Sequence, residues 1–332
     1  MAMIFLDGFD YLTAANFNLK WDSFGGASLQ TGVYGIGQAT GLGTGTKTLG
    51  SNFVTGFQGF HYFTGTLAAN TPMCRFNDAG TIQVELRMDA TGGLFFVRGT
   101  TSIGSTSTSR LLPNTWYFIE AKATIDPSAG EASVSVNGVA FLTQTGLNTR
   151  NSANSFFNQV VITGGGGGTQ QADSYHFWDT TAGDVTTFFG EHIIDTRLAN
   201  AAGTNTTWTI GGSSPAATNW QSVNEAHEDA DVTFVSTLTV NNIDSYKFVN
   251  VATVTGTIAT IAIDTICRVD DGLAHVIDHY SLSGGVVGLS AGVSPATTYQ
   301  NRQTFQGTDP NTAAAWTIAG RNLAEFGYKF IS

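Results

Sequence analysis

The chain has 332 residues, of which 42% are hydrophobic and only 12% are charged, and its formal net charge is −11. This length and apolar content support one large or two medium domains with buried cores. The 14 lysines and arginines are scattered and form no basic stripe, which argues against nucleic-acid binding through phosphates. No stretch approaches the roughly 20 apolar residues of a membrane-spanning helix, so membrane insertion is not expected.

The rest of the composition indicates fold class. Forty glycines, with many Thr, Ser and Asn residues, are typical of short strands joined by turns. We therefore predict an all-β protein of two jelly-roll-like β-sandwich domains. Cys74 and Cys267 lie far apart without any Cys/His metal spacing and are expected to be buried thiols. The first residues lack the features of a signal peptide, so synthesis in the cytoplasm is expected.

Met1–Leu12 is predicted to be the first strand, and the next informative segments are aromatic and alternating. Phe53–Leu67 contains Phe57, Phe60 and Tyr62. These aromatic residues have two interpretations, a sandwich core with cross-strand pairs or a platform on which sugar rings stack, and Trp178 is a further stacking candidate.

Thr81–Asp89 and Leu94–Gly99 form a predicted hairpin. Its residues Glu85, Arg87 and Asp89 alternate with apolar residues and are expected to face solvent.

Two longer alternating segments, Thr115–Ile125 and Glu131–Leu142, predict a β-meander. The second contains Asn137-Gly138, a strong signal for a two-residue hairpin turn. Trp116-Tyr117, the following aliphatic residues, Glu120 and the Asn-Gly hairpin together resemble the middle strands of concanavalin-A-like and laminin-G-like sandwiches. This resemblance implies a concanavalin-A-like first domain, and such a fold does not fix a function.

The first domain is predicted to span residues 1–198. The five glycines Gly164–Gly168 are placed in a loop inside it, followed by the strand ADSYHFWD and a last strand, Glu191–Arg197. The second β-sandwich is predicted over residues 199–332. Its strands are expected at Ala259–Val269, Ala274–Leu282 and Glu325–Ile331, with a short helical or turn element before the last.

Catalytic chemistry has little support in the sequence. Hydrolases with a concanavalin-A-like sandwich carry Glu-x-Asp-x-Glu on one strand, and the nearest segment, Glu225–Asp231, has the wrong spacing. It is interpreted as a hydrated turn or a calcium-binding loop. We therefore predict no catalytic residues and no cofactor.

Weak metal candidates remain in two places. His275 and His279 would share a face of one strand and, with a carboxylate, hold a transition metal. Asp173, His176 and Asp179 would hold calcium at a sheet rim, as in some laminin-G-like relatives. Both sets also read as ordinary turn or surface residues.

Phrases in the second half of the chain resemble a family of tailed-bacteriophage virion structural proteins. The first phrase is Gly190-Glu191 with Arg197, and the second is Trp220 with Glu225–Ser236. The third comprises a Pro turn and an aromatic-rich end, namely Asp309-Pro310, Trp316, Asn322 and Glu325-Phe326-Gly327.

The resemblance implies a non-enzymatic protein that decorates a capsid or forms a short fibre or tail appendage. Because the first sandwich begins almost at Met1, a compact two-domain appendage is expected rather than a shafted fibre. The expected location is the virion, the expected partners are other capsid or tail proteins, and a homo-oligomer is expected. The alternatives are a carbohydrate-binding module for host surface glycans and, third, a glycan hydrolase.

Overall fold

The computed structural model describes residues 2–11, 13–26, 28–33, 38–41, 43–163, 169–180, 187–251 and 256–332. The chain divides into two compact units, Met1–Asp195 and Thr196–Ser332. Each unit is built from antiparallel strands, so the predicted all-β class is confirmed. No helix among the described residues is long and apolar enough to cross a bilayer.

The first unit contains a short 3₁₀ helix at Phe17–Leu19 and the following strands. They are β1 (Ala2–Asp7), β2 (Ser23–Gly25), β3 (Ser28–Thr31), β4 (Gln38–Gly41), β5 (Thr44–Phe53), β6 (Thr55–Phe63), β7 (Thr71–Asp78), β8 (Thr81–Met88), β9 (Leu94–Arg98), β10 (Thr101–Ile103), β11 (Trp116–Thr124), β12 (Gly130–Val136), β13 (Val139–Leu147), β14 (Phe157–Thr163) and β15 (Gln171–Asp179).

These strands form the two sheets of a β-sandwich. Sheet A has the order β13-β12-β11-β6-β15-β4-β3, with β1 also paired to β15, and sheet B has the order β10-β9-β8-β7-β14-β5-β2. The core lies between the sheets, where Phe157 of sheet B meets Phe177 of sheet A with ring centroids 5.8 Å apart. The side-chain amide of Gln58 crosses the same space and donates a hydrogen bond to the backbone carbonyl of Arg75 at 2.8 Å.

The predicted meander is confirmed. β12 pairs with β11 on one side and with β13 on the other, and Asn137 and Gly138 form the turn with φ of 50° and 75°. The Asn137 side chain also accepts a hydrogen bond from the Phe118 amide at 2.8 Å, which ties the turn to β11.

The hairpin of β8 and β9 is confirmed, but the expectation that Glu85 faces water is wrong. Val84, Leu86 and Met88 are buried in the core as the alternation requires. Glu85 lies on the opposite face and is also fully buried, because Arg75 of β7 and Arg87 both bind its carboxylate. An arginine from a neighbouring strand covers a carboxylate that the local sequence would leave exposed.

The prediction of a last strand in the first domain at Glu191–Arg197 is wrong. The structure describes this segment as irregular backbone, although residues 191–195 do alternate between exposed and partly buried side chains. The predicted loop at Gly164–Gly168 lies outside the described residues.

The second unit contains a 3₁₀ helix at Asn219–Ser222 and the following elements. They are β16 (Ala199–Thr206), β17 (Thr209–Gly211), β18 (Phe234–Ser236), β19 (Ile243–Phe248), β20 (Ile261–Cys267), β21 (Ile277–Ser283), β22 (Val286–Leu289), β23 (Gln300–Gln306), β24 (Thr308–Asp309), β25 (Ala314–Ala315), α1 (Ile318–Leu323) and β26 (Glu325–Phe330).

The main sheet of this unit has the order β16-β19-β26-β21-β22, and β20 pairs with β23 in a separate ribbon. Ile263 of the ribbon and Phe326 of the main sheet share a buried cluster with Trp316. The last strand therefore belongs to the sheet, as the sequence predicts.

The turn at Gly138 supports a stability prediction. Gly138→Ala places a side chain at a φ of 75° where the added Cβ meets no neighbour, so the change tests backbone strain alone. We expect a loss of about 1–2 kcal/mol in the free energy of unfolding, measured by urea denaturation. Gly50→Ala in β5 is the control, because its Cβ also meets nothing and it does not require a left-handed φ. Equal stability of the two variants would contradict the prediction.

Candidate functional site

A cluster of imidazoles, one carboxylate and aromatic rings covers the face of sheet A that points away from sheet B. Side chains alternate along a strand, so Gln58 and Phe60 point to the core while their neighbours on β6 point outward. β6, β11 and β15 contribute adjacent positions to this outer face. We call its central residues the histidine face; they are Phe57, His61, Phe118, Glu120, His176 and Trp178.

Two backbone features bring β15 into this arrangement. Between Asp173 and His176 the strand has one residue more than β6, and Ser174 within this bulge has a φ of 52°. The bulge resets the alternation so that His176 and Trp178 face outward. Opposite them, a Cβ on Gly59 would lie 2.2 Å from Nε2 of His176, so only glycine leaves room for this ring.

Residues 187–195 run across the histidine face, and we call this segment the strap. Glu120, which is fully buried, accepts hydrogen bonds from two successive strap amides through Oε1, Phe189 at 2.6 Å and Gly190 at 3.0 Å. Its other oxygen, Oε2, is buried and has no hydrogen-bond partner among the described residues. The Ile194 amide donates to the Ser174 hydroxyl at 3.1 Å.

Ring contacts continue the attachment of the strap. Phe188 meets Phe57 edge-on at 5.9 Å between centroids, and Phe189 lies 6.1 Å from Trp178. Beneath them, Phe57 and Trp178 stack at 4.9 Å and 9°. The strap thus covers the stacked rings of Phe57 and Trp178.

The imidazoles of the strap and the sheet meet directly. Nε2 of His192 lies 3.2 Å from Nδ1 of His176, and Nδ1 of His192 lies 2.8 Å from the Gly190 carbonyl. His61 approaches Glu191 of the strap, with Nε2 and Oε1 3.5 Å apart. Three histidines and two glutamates therefore attach the strap to the sheet.

Burial shifts the protonation of these groups in one consistent direction, towards neutral forms. It lowers the pKa of His192 to about 4 and that of His176 well below its ordinary value, with neighbouring imidazoles adding to the effect on both. Burial also lowers the pKa of His61, although Glu191 opposes this. The pKa of Glu120 is raised by burial, against the two amides that bind it.

The stacking interpretation is wrong for the four rings first considered, Phe57, Phe60, Tyr62 and Trp178. All four are fully buried. Phe60 and Tyr62 are in the sandwich core, and Phe57 and Trp178 lie beneath the strap. A ring with both faces covered cannot stack on a sugar. Phe60 and Tyr62 are therefore core residues, and Phe57 and Trp178 form a buried cross-strand aromatic pair.

A partly exposed aromatic pair exists on the same face of sheet A. Phe63 and Trp116 are cross-strand partners at the ends of β6 and β11, with ring centroids 5.5 Å apart. Both side chains are partly buried and keep some contact with solvent. The sequence could have indicated this pair, because strand ends reach the rim of a sheet where a covering segment need not extend.

Asp173 and Asp179 do not form a common calcium site. They lie at two ends of β15, roughly 20 Å apart at the usual rise per strand residue. Asp173 is buried and accepts the Val33 amide at 2.8 Å, and burial raises the pKa of its carboxyl to about 7.

His275 and His279 also act separately. His275 precedes β21 and bonds to Asp271 at 2.7 Å, which raises its pKa. His279 is buried within β21 and bonds to the Thr304 hydroxyl at 2.7 Å, and burial lowers its pKa to about 4. The expectation that the two share one strand face is therefore wrong. Across the described part of the chain, no three His, Cys, Asp or Glu side chains are arranged to hold a metal ion.

Comparisons with known proteins find likenesses only among solved structures. No family model matches the chain, and no curated protein matches it. Among solved structures, a cellulose-induced protein has 15% sequence identity over 52% of this chain and 96% of its own, with a TM-score of 0.39. A Trypanosoma rangeli sialidase has 12% identity over 43% of this chain and 25% of its own, with a TM-score of 0.33.

A galectin from Caenorhabditis elegans has 12% identity over 40% of this chain and 89% of its own, with a TM-score of 0.30. The match covers a quarter of the sialidase chain. At these TM-scores the likenesses carry no argument about what the protein does.

The role of Glu120 gives a direct prediction. Glu120→Ala removes the acceptor of two strap amides, so we expect the free energy of unfolding to fall by about 2–4 kcal/mol and hydrogen exchange in residues 187–195 to become faster. Glu120→Gln keeps an acceptor oxygen and should lower the free energy of unfolding by less. Glu131→Ala, which breaks a partly buried ion pair with Lys122 of the neighbouring strand, is the control and should lower the free energy of unfolding by at most about 1 kcal/mol. Unchanged strap exchange in the alanine variant would contradict the assignment.

Asp173 gives a pH prediction. Its folded pKa of about 7 lies above the ordinary 3.8, so its contribution to stability is complete below pH 3.8 and is lost as the pH rises through 7. We expect Asp173→Asn to reduce the stability lost between pH 4 and pH 8 by on the order of 2–4 kcal/mol, measured by urea denaturation. Parallel pH profiles of the two proteins would refute this.

Proposed function

We propose that the chain is a non-enzymatic structural protein of a bacteriophage particle, exposed on the capsid or tail and assembled there as a homo-oligomer with other virion proteins. It would be made in the host cytoplasm and located in the virion. The proposal rests on the roles of the residues in the phrases that resemble virion proteins. Each of those residues considered below stabilises the fold of its own unit.

In the second unit, three of these residues make structural hydrogen bonds, and two of them, Asn322 and Glu325, join segments that are distant in sequence. Asn322 binds both the amide and the carbonyl of Val251, at 2.9 and 3.1 Å. Glu325 accepts from the Thr204 amide and hydroxyl at 2.7 and 2.8 Å and from the Ser245 hydroxyl at 2.8 Å. Trp316 is buried and donates to the Gln306 carbonyl at 3.1 Å.

In the first unit, Gly190 and Glu191 of the first phrase belong to the strap. Glu120, the buried carboxylate beside three histidines, accepts backbone amides there, and this role favours a structural protein over an enzyme. A surface with few charges and a net negative balance suits a particle exterior that must not adhere to nucleic acid.

Purified particles from a host that carries this sequence provide the test. Mass spectrometry should detect the chain at a fixed ratio to the major capsid or tail protein, and antibody labelling under the electron microscope should place it on the particle surface. The isolated protein should release no reducing ends from host polysaccharide. Absence of the chain from purified particles would defeat the proposal.

A second candidate function, recognition of a host surface glycan, is favoured by the Phe63–Trp116 pair. Partly exposed aromatic rings are suited to contact the apolar face of a sugar. A glycan array probed with the wild type and Trp116→Ala separates the candidates. Binding that is lost in this variant but kept in Val139→Ala, a change at an exposed apolar residue, would support glycan recognition. Binding to no glycan, with normal incorporation into particles, would exclude it.

A further inference from the structure

The hydrogen bonds between His176 and His192 determine which nitrogens carry protons. A carbonyl only accepts, so Nδ1 of His192, 2.8 Å from the Gly190 carbonyl, carries a hydrogen. In a neutral ring its Nε2 is then an acceptor. Nδ1 of His176 lies 3.2 Å from both this Nε2 and the Ser174 carbonyl, so it too carries a hydrogen. When both rings are neutral, each of these contacts therefore joins a hydrogen-bond donor to an acceptor.

A proton added to either ring breaks this arrangement. On His192 it would occupy Nε2, and two N–H groups would face each other across 3.2 Å. On His176 it would occupy the other nitrogen, Nε2, which is buried against Gly59 and has no partner among the described residues. An ionised donor buried without an acceptor is strongly unfavourable.

From this geometry we propose that the strap is a pH-sensitive cover, which closes the histidine face at neutral pH and opens on mild acidification when the His176–His192 pair takes up a proton. The proposal does not depend on the virion assignment. It concerns a conformational change of the first unit alone.

The direction follows from the titratable groups around the pair. His61 from β6 acts on both rings, and Glu191 of the strap acts on His192. Glu120 from β11 binds the strap amides next to them, and Lys122, two residues further along β11, is paired with Glu131. The histidines have lowered pKa values when the strap is closed, so their contribution to closure is complete above pH 6.5 and is lost as the pH falls towards 4.

Two of these groups oppose opening. Glu120 has a raised pKa when the strap is closed, so its protonation favours closure as the pH falls. Glu191 favours a protonated His61 beside it. A fall of the His192 pKa from 6.5 to about 4 on closure alone raises the open-to-closed ratio about 20-fold between pH 7 and pH 5, and His176 adds to this.

Hydrogen exchange of the full chain, followed by mass spectrometry at pH 7, 6 and 5, tests the proposal. The readout is the peptide that contains the Phe189 and Gly190 amides, corrected for the intrinsic pH dependence of exchange. We expect its protection to fall about 20-fold or more by pH 5, while peptides from β6 and β11 keep theirs. Equal protection of the strap at pH 7 and pH 5 would overturn the proposal.

Variants identify the groups responsible. His192→Gln keeps an acceptor towards His176 and cannot ionise, so the fall in strap protection should be smaller. His275→Gln, at a histidine of the second unit, is the matched control and should behave as the wild type. A wild-type pH profile in both His192→Gln and His176→Gln would overturn the proposal.

Titration of the wild-type imidazoles by NMR gives a measurement that does not depend on variant folding. Uptake of protons by His176 and His192 should coincide with loss of strap protection. Protonation of both rings while the strap amides remain protected would also overturn the proposal.

Discussion

One oxygen of Glu120 binds two consecutive backbone amides of the strap, and the arrangement of the outer face of sheet A depends on this interaction. Backbone amides that leave a sheet ladder need another acceptor when they are buried, and a carboxylate is the strongest that a side chain can offer. With the strap fixed there, Phe188 and Phe189 reach the rings beneath, and those rings lose contact with water. Burial then shifts the protonation of the histidines, so one hydrogen-bonding requirement leads to the packing, and the packing to the electrostatics.

Much of the fold could be predicted because its determinants are local. The alternation in Thr115–Ile125 and the Asn137-Gly138 turn require only neighbouring residues to specify a hairpin, and the structure has both. The strap shows where local information ends. The alternation of exposed and partly buried side chains at residues 191–195 was predictable, although the segment is irregular backbone and not a strand. What the segment pairs with was not, because its acceptor is a side chain some 70 positions earlier in the chain.

The candidate site was harder to predict for the same reason. Phe57 and Trp178 look like a platform until the covering segment is placed, and Glu85 looks exposed until Arg75 arrives from the next strand. A signal was nevertheless present, since His61 on β6 and Glu120 on β11 share their strand faces with aromatic residues, and such groups are seldom buried unless bonded. Read together, such interruptions on neighbouring strands indicate a polar cluster. Their partners on the strap could be found only from the three-dimensional arrangement.

The bulge in β15 has a consequence for how this sequence can vary in length. The extra residue between Asp173 and His176 lets the strand present Asp173 opposite His61 and His176 opposite Gly59, although three positions separate them. A deletion of one residue here would restore regular pairing and turn part of the strand inside out, moving an imidazole and an indole into the core or an aromatic ring out of it. Homologues should therefore tolerate insertions and deletions in the turns around this strand, yet keep the distance from Asp173 to His176 constant.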